Sequence, residues 1–219
     1  MVDFSHVEGA YCGETGLYVG PKDSEIQVAD ASGNLLQAGT TIVSTAAEID
    51  QASDLSAQDS MVPGAGFIGS GGVLESAVVQ HGGIIKTEII IDLTGAACTS
   101  GNLDILGTSG VSYIGQVTAA KNGTTLMAGQ ITCLETPATG VDDIDLYSAT
   151  EATGAAGSGA AALTETALLS KGGSWSASVT PTIMTALPAA NEYLYLTAGD
   201  AGTAATYTAG RFLIELWGV

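Results

Sequence analysis

Residues able to do chemistry are few in this chain, and they lie far apart. The two histidines, His6 and His81, have no carboxylate or thiol nearby at a recurring metal-ligand spacing. Each therefore reads as a polar loop residue rather than a base or ligand. Asp142, Asp143 and Asp145 fall within four residues just after Gly140. Oxygen-rich clusters of this sort can hold calcium, a hard cation, but the EF-hand pattern is absent and a solvated acidic turn is the expected reading. Gly69-Ser-Gly-Gly72 is not followed by Lys-Ser or Lys-Thr, so it is no phosphate cradle. Ser76 and the other serines lack a His-Asp partner logic, and no Gly-x-Ser-x-Gly elbow occurs. Tyr193, Tyr195 and Trp217 are aromatic enough to stack on sugar rings, or to pack as sheet residues against a neighbouring subunit or the N-terminal arm. Cys12, Cys98 and Cys133 are odd in number and widely spaced, with no Cys-x-x-Cys, so reduced, apolar packing is expected of all three. The residues point away from an enzyme: no catalytic residue, cofactor or metal is expected.

The elements that would carry these residues are strands. The densest β-branched run is Ile84 to Leu93. Ile85, Thr87, Ile89, Ile91 and Leu93 share one parity, and Lys86, Glu88 and Asp92 share the other, as in a half-buried strand. His81-Gly82-Gly83 before it and Thr94-Gly95 after it are turn signals. Ser112–Thr118, Thr124–Leu134, Asp142–Ala149, Glu192–Thr197 and Arg211–Trp217 also read as strands, with a shorter edge piece at Asn102–Ile105 and a broken strand at Trp175–Met184. Asn122-Gly123 between two such runs is a strong hairpin signal. Leu163–Ser170 fits either a helical turn or a short strand. Short strands with Gly-rich turns and few helices predict an all-β fold, an antiparallel β-sandwich of jelly-roll type spanning residues 81–219.

Residues 1–80 read differently. Gly16–Val19 and Glu25–Val28 are brief strand-like pieces, a short helix is expected over Ala46–Ser53, and Asp54–Gly72 is polar or Gly-rich. This stretch carries eleven acids and one Lys. It is expected to be an extended N-terminal arm whose order comes from contacts outside itself, with Ile42, Val43, Ile49, Phe67 and Ile68 as the buried contacts.

Charge limits the partners. Across 219 residues, 23 acids face five Lys and Arg, for a formal charge of −18. Such a surface repels phosphate backbones and anionic lipid, so neither nucleic acid nor membrane is an expected partner. Ser176–Asn191, a long uncharged stretch, is interrupted by Pro181 and Pro188. Met1–Glu8 lacks the basic start and apolar core of a signal peptide, so synthesis in a cytoplasm is expected.

The run His81-Gly-Gly-Ile-Ile-Lys-Thr-Glu-Ile-Ile-Ile-Asp-Leu-Thr-Gly95 resembles a signature of structural proteins of tailed bacteriophages, marine ones especially. Tyr113–Gly123, Thr132–Pro137, Asp143–Glu151, Pro188–Leu196 and Tyr207–Leu216 resemble further segments of the same family, in colinear order over residues 80–219. Val43–Asp50 resembles a short motif of phage capsid-associated and fibre proteins. The resemblance implies a virion component: a capsid decoration or cement protein on the capsid exterior. It would bind the major capsid protein and itself as a homo-oligomer, with a trimer the expected state. A tail or fibre-associated structural protein is the first alternative, and a carbohydrate-binding jelly roll is the second.

Overall fold

The computed structural model describes residues 61–68 and 74–219, together with the backbone of five short strands before them. The chain divides into two compact units, Met1–Asp54 and Leu55–Val219. In the first unit, β1 (Ala10–Gly13), β2 (Gly16–Val19) and β3 (Ile26–Asp30) form an antiparallel sheet in the order β1-β2-β3, and β4 (Leu36–Gln37) pairs with β5 (Thr40–Thr41). The two brief strand-like pieces read from sequence are β2 and β3. The expected helix over Ala46–Ser53 lies outside the described residues.

The second unit opens with a helical turn, α1 (Ala65–Ile68), and then pairs β6 (Leu74–His81) with β7 (Ile84–Asp92). Gly82 has φ +61, as the first loop position of a two-residue hairpin requires. The expected boundary at residues 80 and 81 therefore falls inside a sheet. Ile84–Asp92 is not the first strand of the body, because β6 lies beside it along its whole length. The core also reaches further back, since Met61 and Phe67 are buried within it. Apolar side chains this close to the sheet gain more by entering the core than by serving as an exposed strap.

Five strands make one sheet in the order β13-β10-β16-β7-β6: β10 is Leu126–Ala138, β13 Thr182–Ile183 and β16 Ala209–Gly218. Four make the other in the order β12-β11-β14-β9: β9 is Gly115–Gln116, β11 Ile144–Ala149, β12 Glu165–Leu169 and β14 Tyr193–Ala198. β8 (Ala97–Cys98) and β15 (Ala205–Thr206) form a separate two-stranded pair. Every pairing is antiparallel. Ile89 and Ile91 of β7, Ile131 of β10, and Phe212, Ile214 and Leu216 of β16 share one core cluster with Ile144, Leu146, Leu168, Leu194 and Leu196 from the other sheet. The body is thus an antiparallel β-sandwich, and the period of two in β7 and β16 selects the inward row. Trp175 links the layers. Its ring meets Phe212 edge-on at 5.4 Å, and its Nε1 donates to Ile144 O at 2.7 Å.

Two local readings change. Asn122-Gly123 makes no hairpin: it closes α2 (Ala119–Asn122), with Gly123 N donating to Ala119 O. The buried Asn122 side chain accepts from Thr118 N and donates to Thr87 Oγ1, which ties the turn to β7. Two well-placed partners outweigh the local turn preference. Met127, which the period of two sets on one face with Gly129, Ile131 and Cys133, is 50% exposed because a register shift between Leu126 and Ala128 turns it outward.

Candidate functional site: the open face of the five-stranded sheet

The two outer faces of the sandwich differ. Over the four-stranded sheet, residues 103–113 and 150–163 lie on the strands and bury a second small cluster of Ile105, Ala149, Ala160 and Tyr195. Bridges Asp104 to Gly159, Ile105 to Thr197 and Val111 to Ala155 fasten the cover. Tyr195 is fully buried there; its hydroxyl donates to Glu151 O at 2.6 Å and accepts from Gly154 N. Burial pushes its phenol above the ordinary value. Tyr195 is therefore corrected from a contact candidate to a core residue, closed to a sugar or a neighbour by its own chain. Tyr193 remains half-buried, 4.9 Å from the Tyr113 ring.

The five-stranded sheet has no such cover among the described residues. Its outward rows follow from the register. Ile90 of β7 lies opposite Leu213 of β16, which lies opposite Thr132 of β10. Glu88, Glu215 and Gln130 form the next rung, and Lys86 and Trp217 the one after. Val79, Ile90, Leu134, Val179 and Ile183 are all exposed here, five of the nine large apolar side chains exposed among the described residues. Between Leu134, Leu213, Val179 and Pro181 runs a shallow groove of about 590 Å³.

The charges at the centre of this face are paired within it, while Glu75, exposed on β6 opposite Ile90, joins no ion pair among the described residues. Lys86 Nζ lies 2.6 Å from Glu88 Oε1 and 2.7 Å from Glu215 Oε1, and it stands 5.4 Å above the Trp217 ring. Gln130 Nε2 donates to the other Glu215 oxygen. Hydrogen bonds to Glu215 and then Glu88 raise the Lys86 ammonium. Burial alone would raise the Glu215 carboxyl, yet Lys86 and Gln130 together hold it below its ordinary value. Arg211 pairs with Asp92 at 3.0 Å at one side. Lys86, Glu215 and Gln130 form a fixed network that can be covered without leaving an orphaned charge. The chemistry this face can do is therefore adhesion: apolar contact around a satisfied polar centre.

Of the expected contact residues, Trp217 lies on this face, half-buried under Lys86. Phe67 is in the core, 1% exposed, so of the contacts open to an arm residue it makes the one to its own chain rather than to another subunit or the capsid. Ile42, Val43 and Ile49 lie outside the described residues, as does the Ile68 side chain. His81 ends β6, exposed. Cys98 and Cys133 are buried and free. Ile90, Leu134, Leu213, Val179 and Ile183 were not singled out from sequence. The signal was an apolar residue on the charged parity of a strand, Ile90 beside Glu88 and Leu213 beside Glu215. No described helix is long and apolar enough to cross a membrane. No protein-family model matches this chain, and neither a curated protein nor a solved structure matches it.

Proposed function

We propose that this chain is a non-enzymatic virion structural protein, a decoration or cement protein. It docks on the major capsid protein through the open outer face of the five-stranded sheet. The observation that carries the reading is the asymmetry between the faces: one is sealed by the chain's own loops, and the other leaves an apolar surface with a charge-paired centre uncovered by the described residues. Exposed apolar side chains gathered on one face in this way mark an interaction site. A net charge of −18 makes phosphate backbones and anionic lipid poor occupants and favours a protein surface.

The strand order supports the finer, jelly-roll reading. Numbering β7, β9, β10, β11, β12, β13, β14 and β16 from one to eight, the sheets run 6-3-8-1 and 5-4-7-2, the order of two interlocked Greek keys. Viral capsid domains use this architecture, and so do lectins, so the fold alone does not choose between them. The resemblance over residues 80–219 favours the virion. Burial of Tyr195 removes one of the three aromatics that a sugar platform would use. Assembly as a homo-oligomer, exposure on the capsid exterior and synthesis in the host cytoplasm belong to the same proposal.

The test is co-sedimentation with particles lacking the protein, combined with labelled imaging of the bound protein. Wild type is expected on the head, and Leu213→Glu is expected to stay folded while losing most binding. Label on the tail would select the tail-protein alternative. Full binding by folded Leu213→Glu would remove the open face from the attachment.

A further inference from the structure

On the outer side of the four-stranded sheet, beyond the Tyr195 cluster, the β11–β14 ladder sets Asp145 opposite Thr197. On the next rung of the same face, Gly199 N donates to Asp143 O at 2.8 Å, so Asp143 faces Gly199. Alternation puts all four residues on one face. Among the described residues, only two buried side-chain oxygens lack a hydrogen-bond partner, and both are here: Asp143 Oδ1 and Thr197 Oγ1. Asp143 is 8% exposed and Thr197 is fully buried. Two orphaned oxygens on neighbouring rungs of one strand pair call for a missing partner, since buried polar groups are otherwise satisfied.

The geometry specifies that partner's charge. A Cβ placed on Gly199 would lie 2.7 Å from Asp143 Oδ1 and 3.0 Å from Asp145 Oδ1. Two carboxylate oxygens thus converge on the space that the glycine leaves bare. Asp145 is held in place by Ser170 Oγ and Lys171 N, which donate to its two oxygens. The Lys171 ammonium stands over the Trp175 ring, and no ion pair joins it to either aspartate among the described residues. Asp142, Asp143 and Asp200 line a cleft of about 380 Å³ that leads to solvent.

We propose that Asp143 and Asp145 bind a hard divalent cation, calcium, over Gly199. Backbone carbonyls and water from the cleft would complete the shell, and Thr197 Oγ1 would bond a water of that shell. Calcium takes several oxygens in flexible geometry, which suits two carboxylates from one strand; no third acidic, His or Cys side chain converges on them among the described residues. Gly199 is required because a side chain would occupy the ion's place.

The test uses the full chain after chelation. Terbium luminescence sensitised by the protein's aromatics, its displacement by calcium, and calcium-dependent melting are read in ionic-strength-matched buffer. Wild type is expected to show saturable, calcium-displaceable terbium binding and a rise in Tm with calcium. Asp143→Asn should weaken calcium binding about tenfold or more, and Gly199→Ala should do the same with the carboxylates intact. Asp200→Asn, on the cleft rim, should bind nearly as wild type. If Asp143→Asn fails to fold without calcium, direct titration of wild type and Gly199→Ala still decides. Absence of saturable binding in wild type would overturn the site, as would unchanged binding by folded Asp143→Asn or Gly199→Ala.

Discussion

The four-stranded and five-stranded sheets share one core but treat their outer faces in opposite ways. β11 is buried along its whole length on both sides: Ala149 lies in the outer cluster with Ile105, Ala160 and Tyr195, and Asp145 is held by Ser170 and Lys171. β16, at the centre of the other sheet, buries Phe212, Ile214 and Leu216 and leaves Leu213 and Trp217 half-exposed. A chain that can cover one face with its own loops leaves the other bare only at a cost in exposed apolar area. A partner is therefore to be sought at the open face. Stability should reside in the covered face and the core, and attachment in the open one.

The comparison fails first if the core does not need the residues before β7. A chain starting at Gly82 loses β6, Met61 and Phe67, and we expect no cooperative unfolding transition. A chain starting at Leu55 should melt as one unit, with circular dichroism distinguishing the two. Next comes the contrast between faces. Tyr195→Ala empties a fully buried aromatic site, and chemical denaturation should show a loss of about 3–5 kcal/mol. Trp217→Ala and Leu213→Ala are expected to cost about 1 kcal/mol or less, yet to weaken particle binding about tenfold each. Equal destabilisation at both faces would dissolve the distinction.

The polar centre of the open face gives a pH signature. Glu215 titrates below its ordinary 4.5, so its contribution is present above that value and is lost as pH falls through the folded pKa. Lys86 titrates above 10.5, so its contribution is complete below that value and is lost only as pH rises through the folded pKa. Glu215→Gln should therefore cost about 1–2 kcal/mol near pH 7, reduced because Lys86 is 30% exposed and keeps Glu88. The gap from wild type should close in acid. A gap independent of pH would mean that shape rather than charge is at stake. The smallest effect is expected at the β6–β7 hairpin. Gly82→Ala meets no neighbour but must hold φ +61, for about 1–2 kcal/mol measured by denaturant melt.

Strands that alternate strongly are legible in the amino-acid sequence. β7, β14 and β16 lie where the period of two places them, and the inward row of β7 is the expected one. β6 is not legible, because Leu74, Ser76, Val78 and Gln80 make a weak inward row and a Gly-rich run precedes it. The fate of Tyr195 is hidden for a different reason: its cover comes from loops with no periodicity, fixed only by long-range bridges such as Ile105 to Thr197. The spacing of Asp143 and Asp145 is visible in the sequence. Their convergence over Gly199, more than fifty positions away, is not, because strand pairing has no local signature. The open face is half legible: Ile90 and Leu213 interrupt the charged parity, but only the register between β7, β16 and β10 shows that they touch.

Hydrogen exchange of the whole protein, free and bound to particles, separates attachment through the open face from attachment through the covered one. Binding is expected to slow exchange in β10 and β16 at the open face, around Gln130–Leu134 and Arg211–Trp217, while residues 150–163 over the covered sheet exchange as in the free protein. Protection confined to residues 150–163, with β10 and β16 unchanged, would contradict the account.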